Sequence, residues 1–145
     1  MTRPTIAIDL DGTLIHHGEW KGVDHFGEPL PGAVEFTKEL AKVADIVIHT
    51  CRTNPELNPP EAAFLLANRV RRFLDEKGFA YHNVWCGEGK VIANVYLDDR
   101  AVHAGLNVGY GDEWRRAHLL KEINAVLTRS DHSQDYSKTA EKVQS

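Results

Sequence analysis

Asp9-Leu10-Asp11-Gly12-Thr13 is the segment of this chain with the clearest chemical capacity. Two carboxylates two positions apart at a strand end face one small volume once the backbone turns, and Gly12 supplies a residue that turns without steric cost. At roughly 5–7% usage per residue type, four specified positions coincide about once in 10⁵ places, so roughly one chain in a thousand of this length shows the pattern by chance. The plain alternative is an aspartate-rich turn capping a helix. Three further sites count against it: Thr50 closes a second apolar run, Asp98-Asp99 close a later one, and Lys90 lies in the loop just before that later run. Singly, these are a β-favouring threonine, an acidic turn and a solvated lysine; their order down the chain gives them weight.

That order, Asp9-x-Asp11-Gly12-Thr13, Thr50, Lys90, Asp98-Asp99, covers residues 6–99 and resembles the four motifs of the haloacid dehalogenase (HAD) superfamily of phosphohydrolases. The resemblance implies that Asp9 attacks phosphorus and becomes an aspartyl phosphate, a covalent route that splits one hard step into two. It implies that Asp11 protonates the leaving oxygen and later takes a proton from water. By the same resemblance Thr50 hydrogen-bonds the transferring phosphoryl group, Lys90 offsets its charge, and Gly12 lies with the substrate-binding residues. Mg²⁺ is expected on Asp9, the Asp11 carbonyl and an aspartate of the fourth motif, Asp98 ahead of Asp99. Phosphoryl transfer draws most of its catalysis from positioning and neutralising oxygens. A hard cation takes oxygen ligands, so carboxylates rather than cysteines converge.

Arg52 stands two residues past Thr50, and arginine pairs phosphate bidentately, so it is read as a substrate contact, with a surface arginine as the alternative. Thr50-Cys51-Arg52 and Asp98-Asp99-Arg100 also resemble the serine-glycine-arginine and aspartate-aspartate-arginine segments of phage-type polynucleotide 3′-phosphatase domains. That nominates a nucleic-acid end as an alternative substrate. A phosphoacceptor signalling domain uses similar residues, but there the acidic pair precedes the phosphorylated aspartate, the reverse of the order here. Gly87-Glu88-Gly89-Lys90 lacks the full nucleotide phosphate-loop pattern.

Strands alternating with helices must position these residues. Ile6–Ile8, Ala44–His49, Tyr81–Cys86 and Ala93–Leu97 read as strands. A helix opens at Pro31-Gly32, with Val34, Phe36, Leu40 and Val43 apolar and Glu35, Lys38, Glu39 and Lys42 wet. A second starts from a cap at Asn58 with Pro59 and Glu61 in a capping box, buries Ala63, Leu66, Val70, Phe73 and Leu74, and ends at Gly78. A third begins near Asp112 and buries Trp114, Ala117, Leu120, Ile123 and Leu127. The predicted fold is α/β: a three-layer Rossmann-like (HAD-like) domain over 1–128, with a central, mainly parallel sheet covered on both faces. Residues 129–145 form a polar tail expected to be mobile. The intervals Thr13–Thr50 and Thr50–Lys90 are each about 40 residues and already contain a helix, so neither holds a cap domain. Residues 15–31 read as a short flap in which Trp20 either covers substrate or packs on the sheet edge.

The remaining composition sets bounds. At 145 residues and a net charge of −4, the chain has room for one main domain and no general attraction to nucleic acid or anionic lipid. No apolar run approaches a membrane span or a signal peptide, which predicts a soluble, cytoplasmic protein. The expected partner is a phosphorylated small molecule or an exposed phosphate on a macromolecule; oligomeric state is not legible. Eight histidines show no zinc-ligand spacing and are expected as exposed loop residues. Cys51 and Cys86 end neighbouring strands and are expected as reduced thiols.

Overall fold

The computed structural model describes residues 3–57, 61–104 and 115–129. The chain forms two compact units, one of Met1–His17 with Lys21–Asp99 and one of Gly18–Trp20 with Arg100–Ser145. In the first, β1 (Thr5–Ile8), β2 (Asp45–Ile48), β3 (Asn83–Val84) and β4 (Val95–Leu97) make an all-parallel sheet in the order β3-β2-β1-β4. The α/β class is as expected. β3 is shorter than the apolar run that encodes it, although His82 N–H and Trp85 N–H on either side still donate to the carbonyls of Ile46 and Ile48 at 2.8 Å.

Register settles which side chains share a face. Ile8, Ile48 and Val84 are aligned across three strands, as are Ile6 and Ile46 across two. All of these except Ile6 are fully buried. Each such side chain contributes about 1.5–3 kcal/mol through burial. α1 (Ala33–Ala41) joins β1 to β2 and α2 (Ala63–Lys77) precedes β3. Right-handed crossovers in one direction place both helices on that face. The other face, with Ala7, Val47 and Tyr96, carries no helix of this unit, and β4 leaves Val95, Tyr96 and Leu97 exposed. On that other face Ala7 is buried and Val47 half-buried.

α1 keeps its expected phase only in part: Val34 and Leu40 pack, half-buried, against the core. Ala33 and Thr37 are buried, whereas Phe36 is 44% and Val43 65% exposed. Thr37 is tolerated inside because its hydroxyl donates to the Val34 carbonyl at 2.8 Å and accepts from Ala80 N–H at 3.0 Å. α2 buries Leu66, Ala67, Val70, Phe73 and Leu74 and ends at Gly78, whose φ of 83° is the left-handed conformation that favours glycine. Its start differs from the expectation: the helix opens at Ala63, Ala62 precedes the first turn without a side-chain cap, and the Glu61 carboxylate pairs with Arg69 at 2.9 Å. Asn58 and Pro59 lie outside the described residues.

Residues 15–31 fold back on themselves. His16 N–H donates to the Glu28 carbonyl at 2.8 Å, Leu30 N–H donates to the Leu14 carbonyl at 2.9 Å, and Ile15 bridges Pro29. Ile15 and Val23 are buried, Phe26 stacks on Phe73 of α2 with centroids 4.3 Å apart, and Arg69 of α2 pairs with Asp24. Apart from Gly18–Trp20, the segment is packed into the first unit.

In the second unit α3 (Arg115–Leu127) half-buries Leu120, Ile123 and Leu127 as expected, together with Leu119 and Val126, and exposes Ala117. Trp114 and the tail beyond Arg129 lie outside the described residues. Trp20, half-buried, belongs to this unit. Among the described residues no helix is long and apolar enough to cross a membrane.

Candidate active site

The sheet hands its strand ends to one crevice. From β1 the chain moves outward to β2 and β3, then crosses to β4 on β1's other side, so the order reverses between β1 and β4. In open parallel sheets, ligands bind outside the carboxyl ends of the strands at such a reversal. Asp9 follows β1 and Asp98-Asp99 follow β4, one on each side. The ladder holds the backbone beyond the strands: Asp9 N–H donates to the Leu97 carbonyl and His49 N–H to the Ile8 carbonyl, both at 2.9 Å.

After Asp9 the chain wraps around the Leu10 carbonyl, which accepts from the N–H groups of Thr13, Leu14 and Ile15. Gly12 sits there at φ 88°, and a Cβ on it would lie 2.5 Å from Asp99 Oδ2. Glycine is therefore required twice, for the turn and for the approach of Asp99. Thr13 Oγ1 lies 3.2 Å from Asp99 Oδ1 and 3.4 Å from Asp9 Oδ2, with one proton to donate, and accepts from Asp99 N–H at 3.0 Å. The Thr13 hydroxyl thus joins the two aspartates across the reversal, a role its place in the motif does not by itself assign.

Asp9, Asp98 and Asp99 offer carboxylate oxygens that all lie within 4.8 Å of one another. Burial pushes the Asp9 carboxyl up to about 9, with the hydrogen bond to Asp99 and the charges of Asp98 and Asp99 adding to it, while a backbone hydrogen bond at Leu10 opposes. Three carboxylates this close share a proton or a cation at neutral pH. The donor set is all hard oxygen, the type a divalent ion such as Mg²⁺ takes, so the residues present fit the ion. The Asp11 carboxylate is outside this group.

A cleft of about 780 Å³ opens beside Asp9 and Asp98. Thr50 lines it, buried, with its hydroxyl accepting from Arg52 N–H at 3.1 Å. Cys51 and Cys86 also line it, and neither forms a disulfide. Trp85 supplies an aromatic wall unforeseen from sequence: its indole N–H donates to the Gly89 carbonyl at 3.2 Å, and a Cβ on Gly87 would lie 2.8 Å from the ring. Glu56 and Glu88 add carboxylates, and among the described lining residues there is no lysine or arginine.

Asp11, Gly12, Arg52 and Lys90 do not line this cleft. Asp11 is gripped by Arg52, with Nε donating to Oδ2 and Nη2 to Oδ1, each at 2.7 Å. Arg52 is 3% exposed, which removes the surface-arginine alternative. Lys90 is exposed, and its ammonium rests 4.4 Å from the centre of the Tyr96 ring on β4 rather than on the cleft wall. Two histidines depart from the expected exposure: the side chain of His17 is 8% exposed with Nδ1 4.0 Å from Asp11 Oδ1, and His49 is half-buried on the cleft wall. Nothing in their spacing signalled this.

Comparison of the chain with protein families, with curated proteins and with solved structures finds no match.

Proposed function

We propose that the chain is a capless, Mg²⁺-dependent phosphomonoester hydrolase of the HAD type, with a three-layer Rossmann-like fold, acting through an aspartyl phosphate on Asp9. The observation that carries this reading is the meeting of Asp9 with Asp98 and Asp99 at the reversal point of a parallel sheet, with Thr50 on the same cleft. Bound there, Mg²⁺ supplies positive charge that keeps the carboxylates ionised and draws the phosphoryl oxygens in.

In the first step an Asp9 oxygen forms a bond to phosphorus as the ester P–O bond breaks, and the leaving oxygen takes its proton from Asp11. In the second, Asp11 takes a proton from water, the water oxygen bonds phosphorus, and the acyl phosphate bond breaks to return Asp9 and free phosphate. Thr50 orients a phosphoryl oxygen through its hydroxyl. The intervals after β1 and β2 carry α1 and α2 in place of an inserted cap domain. Lys90 serves the phosphoryl group only if it leaves the Tyr96 ring.

The cleft favours a small phosphate ester over a nucleic-acid end. Its described lining holds Glu56 and Glu88 and no lysine or arginine, so flanking phosphates would be repelled. A panel of sugar phosphates, aryl phosphates, nucleotides, phosphopeptides and 3′-phosphorylated oligonucleotides tests the proposal. The expectation is steady phosphate release from small monoesters with Mg²⁺ and none in excess chelator; full activity in chelator, or a single turnover that then stops, contradicts it.

A further inference from the structure

We propose that Arg52 is the positioning residue for Asp11: it holds the carboxylate that handles protons and fastens that carboxylate to the 15–31 segment, and it does not itself contact substrate. The inference rests on the reading of Asp11 as proton carrier. Arg52 and Asp11 are 41 positions apart and come from the loops after β2 and β1, so no local geometry obliges them to meet. They meet with both teeth of the guanidinium fork, which fixes the position and the plane of the carboxylate; an ammonium, as a point charge, fixes neither.

The rest of the guanidinium is committed to the 15–31 segment. Nη2 also donates to the His25 carbonyl at 2.7 Å, Nη1 donates to the Val23 carbonyl at 3.3 Å, and the group stacks 4.1 Å from the centre of the Phe26 ring. Phe26 in turn lies on Phe73, so a continuous stack runs from the buried face of α2 through Phe26 and Arg52 to Asp11. A side chain so enclosed is built to hold a neighbour in place. A buried ion pair is weak evidence for stability, because desolvation offsets most of its attraction; its place on the carboxylate two residues from the nucleophile is the more telling fact. The fork occupies one lone pair on each Asp11 oxygen and leaves the other for a proton, and it limits how far the carboxylate can move.

A misplaced acid shows itself through the leaving group. Expulsion of 4-nitrophenolate needs little protonation, whereas expulsion of an alkoxide needs a positioned acid. With Mg²⁺, kcat/KM is measured for wild type, Arg52→Lys, Asp11→Asn and the double variant on 4-nitrophenyl phosphate and on an alkyl phosphate. We expect Arg52→Lys to lose on the order of 10²-fold on the alkyl ester and far less on the aryl ester, and to add nothing to that selectivity in the Asp11→Asn background. If Arg52→Lys does not fold, Phe26→Leu, which leaves every polar partner in place, should show the same selectivity with a smaller loss. An equal loss on both esters, a loss confined to KM, or wild-type kinetics overturns the assignment of Arg52 while leaving the phosphatase reading intact. A wild type that hydrolyses neither ester overturns both.

Discussion

Asp9 is set apart by its surroundings more than by its type. A carboxyl pushed up to about 9 by burial and by Asp98 and Asp99 holds a proton in the folded chain that the unfolded chain releases near 3.8. Between those values the folded state binds more protons, so this contribution to metal-free stability is complete below the unfolded value and is lost as pH rises toward about 9. Asp9→Asn keeps the size of the side chain and removes the titration. In chelator, the wild-type thermal midpoint should therefore fall more steeply between pH 5 and pH 8 than that of Asp9→Asn, and Mg²⁺ should raise the wild-type midpoint alone. Parallel curves for the two proteins, with or without Mg²⁺, would remove Asp9 from the metal group. Asp9, Asp98, Asp99 and Thr50 were legible in the sequence because each directly follows an apolar run, and a strand end fixes where its next residue emerges. The partner of Arg52 and the resting place of Lys90 were not, because each depends on which loops cross in space.

The elements show where apolar patterning informs and where it misleads. Leu66, Val70, Phe73 and Leu74 repeat at helical spacing and are buried together, as read. Val34, Phe36, Leu40 and Val43 do not form one stripe at 3.6 residues per turn: Val34 and Leu40 flank a buried line through Ala33, Thr37 and Ala44, and Phe36 and Val43 are left exposed. Thr37 can enter the core because its hydroxyl finds partners in Val34 and Ala80, and those are known only once the chain is folded. Thr37→Val removes the acceptor for Ala80 N–H and leaves that donor buried without this bond, so it should cost about 1–3 kcal/mol. Phe36→Ser, on a far more exposed position, should cost less than Thr37→Val in the same denaturant titration. The reverse ranking would show that α1 packs in the phase its apolar residues suggest. The start of α2 carries the same lesson: the helix opens at Ala63, later than the Asn58-Pro59 signal, and Arg69 gives the Glu61 carboxylate a two-pronged partner.

At the scale of the whole molecule, topology gathers the chemistry. The order β3-β2-β1-β4 puts the reversal beside β1, and the side chains after β1 and β4 meet there although Asp9 and Asp98 are far apart in the chain. A strand-helix alternation predicts a parallel sheet, but the place of β4 in it follows only from the final packing. The net charge of −4 and the two carboxylates, Glu56 and Glu88, in the described lining of the cleft have the same sign. The central claim is that Asp9 carries the phosphoryl group in transit. Its most direct test is an acid quench of the protein turning over a radiolabelled phosphate ester with Mg²⁺, followed by mapping of the retained label. Base-labile label on Asp9, absent in Asp9→Asn and in chelator, is the predicted result; phosphate release with no label on Asp9, or undiminished release by Asp9→Asn, would contradict it.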